Sequence, residues 1–138
     1  MSAGEFWGKS YERDIAAAPQ TIWRALADSS GWKQWNPGVK SVRMEGDFVT
    51  GTWFAMELPD GEIIRSRLVD VVAPLRFIDE TRVGETVVRV EHKIEPLGAD
   101  RCRVVYSVGV EGADAREIGE AISGDFPEVL AGLAGYLR

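Results

Sequence analysis

The sequence predicts an α+β fold in which an antiparallel sheet is covered by one long C-terminal helix. Three observations carry this expectation. Residues 114–138 place Ile118, Ile122, Phe126, Val129, Leu130, Leu133, Tyr136 and Leu137 at spacings of three and four, which makes one stripe down a helix. From Val39 onward the chain reads as strand after strand, separated by turn-forming residues. The stripe is also long for a chain of 138 residues, so a curved surface has to cover it.

Taken in order, residues 6–15 read as a first strand with poor alternation. Ala18-Pro19 opens a helix, since proline suits the first turn, and Ile22, Trp23 and Leu26 give it an apolar side. Asp28-Ser29-Ser30-Gly31 breaks it, and Ser29 or Ser30 is suited to cap a second short helix carrying Trp32 and Trp35. Asn36-Pro37 ends that helix, because a residue before proline avoids the helical region. Two short helices after one strand suggest a support or lid. Pro127 and Gly124 lie inside the C-terminal stripe, where Pro127 removes the bond to the Ser123 carbonyl. The terminal helix should therefore bend or break at 124–127.

Turn chemistry sets the register of the strands. Pro59-Asp60-Gly61 suits a three-residue hairpin loop with Gly61 left-handed. Met56 then faces Ile64 and Phe54 faces Ser66, which puts Thr52, Phe54, Met56, Ile64, Ser66 and Leu68 on one face and Arg65 and Arg67 on the other. Gly84-Glu85 suits a two-residue turn, so Thr81 faces Val88, Asp79 faces Val90 and Phe77 faces His92. Val88, Val90, His92 and Ile94 alternate with Arg89, Glu91, Lys93 and Glu95, so His92 belongs to the covered face. Cys102, Val104, Tyr106, Val108 and Val110 repeat the pattern. An odd connection at Leu97–Arg101 brings Tyr106 directly opposite His92 or onto its diagonal.

Composition limits the function. The formal net charge of −6 argues against nucleic acid or an anionic membrane as a main partner. No apolar run approaches a membrane span, and Met1–Phe6 lacks a leader pattern, so a cytoplasmic location and no stable membrane insertion are expected. The length fits one domain over residues 1–138. One cysteine and one histidine exclude an internal disulfide and a histidine-rich metal centre, and there is no nucleotide-binding glycine loop. No metal and no cofactor are expected.

What remains is a row of three polar side chains, Asp79, His92 and Tyr106, on an inward face otherwise made of Phe, Val, Ile and Met. A histidine on such a face is more often a satisfied core residue than a ligand contact. Two points favour a site: an inward aspartate is costly unless paired or wetted, and convergent polar groups in an apolar concavity are the usual form of a small-molecule pocket. A bulge between 75 and 83 would turn Asp79 to solvent. If a substrate reacts there, His92 is the natural general acid or base, with Asp79 orienting it and Tyr106 polarising a carbonyl.

The chain resembles the SRPBCC or START-like (birch-pollen-allergen-like) superfamily, and within it the polyketide cyclase/dehydrase group. The resemblance rests on Ala18-Pro19-Gln20-Thr21-Ile22-Trp23, Trp32, Trp35-Asn36-Pro37, Gly51 before Trp53-Phe54, Ala73-Pro74-Leu75-Arg76-Phe77, His92 with Glu95-Pro96, Gly112 and Asp125-Phe126-Pro127. It implies a helix-grip fold: a curved seven-stranded antiparallel sheet wrapped around a long C-terminal helix, with two short helices between strands 1 and 2. It also implies a hydrophobic cavity and a lipid-, polyketide- or aromatic-like ligand, as in lipid transport, and carries over no catalytic residues. The expected lining is Phe54, Met56, Ser66, Leu68, Phe77, His92 and Tyr106 from the sheet, Ile122, Phe126 and Leu130 from the terminal helix, and Trp32 and Trp35 from the lid. Binding of a small hydrophobic molecule is the first expectation. A cyclase or dehydratase using His92, and a protein-interaction module without a ligand that pairs through the outer sheet face or edge strands, are the alternatives; a homodimer is the partner assembly considered.

Overall fold

The computed structural model describes residues 5–138; the leader expectation at Met1–Phe6 falls largely outside them. Strands β1 (Phe6–Ile15), β2 (Ser41–Met44), β3 (Trp53–Glu57), β4 (Ile63–Val72), β5 (Arg76–Val83), β6 (Thr86–Gly98) and β7 (Arg101–Glu111) form one antiparallel sheet. Its spatial order is β1-β7-β6-β5-β4-β3-β2, so β2 to β7 form a meander and β1 returns to pair with β7. β1 and β2 therefore sit on opposite edges, and the chain between them has to cross the sheet. Helix α1 (Pro19–Ala27) and a 3-10 helix (Ser29–Gln34) make that crossing. The helix-grip expectation is met: the C-terminal segment, α2 (Ala115–Ser123) and α3 (Phe126–Tyr136), packs against β1 and β7.

The turn chemistry produces the expected register. Gly61 has φ +92° and Gly84 has φ +63°, values that a side chain resists. Phe54 pairs with Ser66, Asp79 with Val90, Phe77 with His92, and His92 directly with Tyr106. The odd count after β6 has a simple origin: Ala99 and Asp100 make the turn, and one further residue is a bulge between Pro96 and Gly98.

Some expectations need correction. The second short helix is 3-10, and neither Ser29 nor Ser30 caps it. Ser30 Oγ instead donates to Asp28 Oδ1 at 2.7 Å. Tyr136, placed on the buried stripe, is exposed; Ala134, four residues after the buried Leu130 and so on its side of α3, takes the covered position. That break falls where expected, at Gly124-Asp125, with Pro127 in the first turn of α3. The Ser123 hydroxyl donates to the Gly119 carbonyl at 2.7 Å and accepts from Tyr11 at 2.9 Å, which ties the end of α2 to β1.

The core is in two pieces. One joins α1, the 3-10 helix and α3 to the middle of the sheet through Ile22, Leu26, Leu68, Val104, Leu130 and Leu133. The other gathers Val88, Val90, Val108, Val110 and Ala115 under α2.

Candidate functional site

Residues from both pieces of the core line one cavity of about 520 Å3. Its inner wall is aromatic and buried: Trp32, Trp35, Phe54, Phe77 and Tyr106. Its roof is Ile118, Ala121 and Ile122 of α2, and its outer rim is made by the ends of the two hairpins, with Ile63 and Val83 exposed. Among the sequence-predicted residues, Trp32, Trp35, Phe54, Met56, Ser66, Phe77, Asp79, His92, Tyr106 and Ile122 border this space.

Leu68, Phe126 and Leu130 do not. Leu68 and Leu130 are sealed in the first core piece at 0% and 1% exposure. After the helix break, α3 lies against the backbone that ends the 3-10 helix, where a Cβ on Gly132 would collide with the Trp35 carbonyl. Phe126 is instead a wedge: its ring meets Tyr11 edge-on at 5.5 Å and Tyr106 edge-on at 5.6 Å, which holds the tyrosine ring in place. Sequence reasoning placed Val88 and Val90 on the inward face and Ile118 on the stripe, yet left them out of the site. The break at 124–127 was the usable signal, because it assigns α3 to packing and α2 to the roof.

Asp79, His92 and Tyr106 lie together. Phe77 stacks on the His92 ring at 3.9 Å with 9° between planes, and Tyr106 meets the ring's other side edge-on at 4.5 Å. His92 Nδ1 is 3.4 Å from the Phe77 carbonyl, which can only accept, so that contact assigns the proton to Nδ1 and leaves Nε2 bare. Nε2 faces Asp79 Oδ2 at 3.9 Å, too far for a hydrogen bond. The two side chains keep 12% and 17% of their surface open. Asp79 stays inward because the irregularity in this hairpin is on β4, between Leu68 and Asp70, and β5 keeps its alternation.

Burial dominates the electrostatics. It pushes the Asp79 carboxyl up from 3.8 to about 7, with no opposing contribution. Burial lowers His92 from 6.5 to about 3, against smaller upward pulls from the Phe77 and Val90 carbonyls. Tyr106 is raised by burial and then by the nearby Asp79 charge. All three are neutral over most of the range below pH 7. Ser66 and Thr81 add a hydroxyl pair at 2.6 Å toward the rim. These polar groups therefore stand on the sheet, opposite an apolar roof, while Asn36 and Trp35, whose indole N–H is buried without a partner among the described residues, border the space from the segment after the 3-10 helix. Among the described residues no three His, Cys, Asp or Glu side chains are placed to hold a metal ion, and no helix is long and apolar enough to cross a membrane.

A family described as polyketide cyclase / dehydrase and lipid transport matches residues 9–138. No curated protein matches the chain. Similar solved structures include the Zhui aromatase/cyclase from Streptomyces sp. R1128, at 17% identity and TM-score 0.81 over 96% of this chain and 94% of that one. A START superfamily protein from Mycobacterium smegmatis has 15% identity and TM-score 0.76 over 94% and 96%. Norcoclaurine synthase from Thalictrum flavum, solved with dopamine and hydroxybenzaldehyde, has 16% identity and TM-score 0.76 over 96% and 87%. At these identities the likeness is one of fold.

Proposed function

Because the chain belongs to the polyketide cyclase/dehydrase and lipid transport family, we propose that it binds a small, mostly apolar, aromatic or polyketide-like molecule between the sheet and α2. The observation that carries this reading is the cavity of about 520 Å3 with an aromatic inner wall and three polar side chains on one side. Pockets of this size and mixed lining bury most of the surface of a small ligand. A synthase of the same fold was solved with two aromatic molecules, which supports the class of ligand.

The test is titration with an environment-sensitive neutral dye, 6-propionyl-2-(dimethylamino)naphthalene, together with native mass spectrometry of freshly purified protein. Saturable one-to-one binding is expected, and Ile122→Trp, which fills the space under α2, should abolish it while the fold is retained. Unsaturable uptake, or full binding by the filled variant, would refute the reading.

A second reading, a cyclase or dehydratase, is favoured by the approach of His92 and Asp79 to 3.9 Å inside the same pocket. In this reading the roles assigned from the sequence are exchanged. His92, neutral down to about pH 3, is a weak base, and Asp79, titrating at about 7, is the group matched to proton transfer at neutral pH. Turnover of a polyketide-type substrate should be lost in Asp79→Asn and only reduced in His92→Gln; the reverse order would restore the histidine.

A further inference from the structure

Among the described residues the Asp79 carboxyl has no cationic partner inside the pocket. The strands beside it contribute Ser66 and Leu68 from β4 and Val88, Val90 and His92 from β6. β7 contributes Tyr106, and α2 contributes only the apolar Ile118, Ala121 and Ile122; the 3-10 helix and the residues after it contribute Trp32, Asn36 and Trp35, whose indole N–H is buried without a partner among the described residues, and none of these three is titratable. The charged residues on the lining are at the rim. They are Glu62, Arg65, which is paired with Glu45 at 3.2 Å, and Arg82, which is 3.6 Å from Glu80. Neither Asp79 nor the Tyr106 hydroxyl has a hydrogen-bond partner among the described residues, and both border the cavity.

We propose that Asp79 is the specificity-determining residue of this pocket and acts as a hydrogen-bond donor, so that the ligand is uncharged and sets a carbonyl oxygen against Asp79 and Tyr106. This rests on the binding function proposed above. Two donors beside an acceptor oxygen, in an apolar site, make a place for a ketone or quinone oxygen. The same arrangement refuses a carboxylate, which would meet no cation and would sit beside an ionisable acid. The tendency of the acid to stay protonated comes from desolvation, and a bound apolar ligand removes more water and strengthens it. An acid kept neutral by an apolar site and used as a donor is a known catalytic device. Of the three side chains Asp79, His92 and Tyr106, only Asp79 changes charge between pH 6 and 8.5, since His92 titrates at about 3 and Tyr106 is raised above its ordinary 10.

The experiment compares three naphthalene-sized probes across pH 6 to 8.5: the neutral ketone dye named above, the anion 1-anilinonaphthalene-8-sulfonate, and the cation 1-naphthylmethylammonium. The ketone should bind tightest at pH 6 and lose about thirtyfold by pH 8.5, as ionisation of Asp79 at about 7 both removes the donor and sets a negative charge against the carbonyl oxygen. Asp79→Asn keeps an N–H donor that cannot ionise, so it should flatten the profile and bind the ketone more tightly than wild type at pH 8.5. Asp79→Leu should weaken ketone binding about tenfold at pH 6. Thermal melts of both variants establish that each is folded. A flat profile in the wild type, or equal ketone binding by folded Asp79→Leu, overturns the donor role while leaving the cavity as a binding site. Tightest binding of the cation at pH 8.5, lost in Asp79→Asn, overturns it in favour of a counter-ion. Absence of saturable binding by every probe overturns the binding function and this inference with it.

Discussion

At the scale of single residues, Asp79 and His92 couple the pocket to folding. Asp79 holds its proton more tightly in the folded protein, at about 7 against 3.8. Its contribution is complete below pH 4 and is lost as pH rises through 7. His92 holds its proton more weakly when folded, at about 3 against 6.5. Its contribution is complete above 6.5 and is lost as pH falls toward 3. The two slopes oppose each other between pH 4 and 6.5, so the wild type should be nearly flat there. His92→Gln leaves the aspartate slope, and its Tm relative to wild type should fall from pH 5 to pH 7. Asp79→Asn leaves the histidine slope, and its Tm should exceed wild type at pH 8 and lose that margin on acidification. A tenfold difference in proton affinity between the folded and unfolded chain is worth about 1.4 kcal/mol, so the spread should reach a few kcal/mol in calorimetry. Parallel pH profiles for the two variants would show that neither side chain is as desolvated as its burial implies.

At the scale of elements, the C-terminal break divides the labour. α3 closes one half of the molecule and α2 roofs the other. Gly132 is what lets α3 lie on the 3-10 helix, because a Cβ there would strike the Trp35 carbonyl. Gly132→Ala gains about 1 kcal/mol in helix propensity, yet overpacking against backbone costs about 1–3 kcal/mol. A net loss in chemical denaturation, of up to about 2 kcal/mol, is therefore expected; a stabilised variant would mean that α3 can stand off the 3-10 helix.

The same scale explains what the sequence discloses. Gly61 and Gly84 announce their turns, and each turn fixes which neighbours meet; parity after β6 puts Tyr106 within reach of His92, opposite or diagonal, and the bulge between Pro96 and Gly98 decides for the direct pairing. Asp79 was legible too, with one open question, the position of a bulge; it lies on β4, where no glycine or proline marks it. The depth of the cavity was not legible. Leu68 and Ser66 share an inward face, but Leu68 is sealed and Ser66 borders the space, a difference set by which helix lies above. Phe48 was missed altogether. It sits in the β2–β3 connection and packs edge-on against Trp23, Trp32 and Phe77, a long-range contact that no local pattern encodes.

For the molecule as a whole, the two-piece core is the main consequence of this design. A void between packed clusters forfeits dispersion contacts, and an occupant restores them. A bound molecule should therefore stabilise the protein by mass action, about 2.7 kcal/mol at a free concentration one hundred times its Kd. For a chain of 138 residues that is a rise in Tm of several degrees in a thermal shift assay. Ile122→Trp, already filled, should show no rise with the same dye.

The central claim, that a small apolar molecule lies between the sheet and α2, is tested most directly by isotope-edited NMR of the protein with the neutral ketone dye bound. Intermolecular NOEs are predicted from the dye to Ile122 on the roof, to Trp32 on the inner wall, and to His92 and Tyr106 on the sheet. NOEs confined to Trp53 and the outer sheet face, or saturation without any contact to these four side chains, would contradict it.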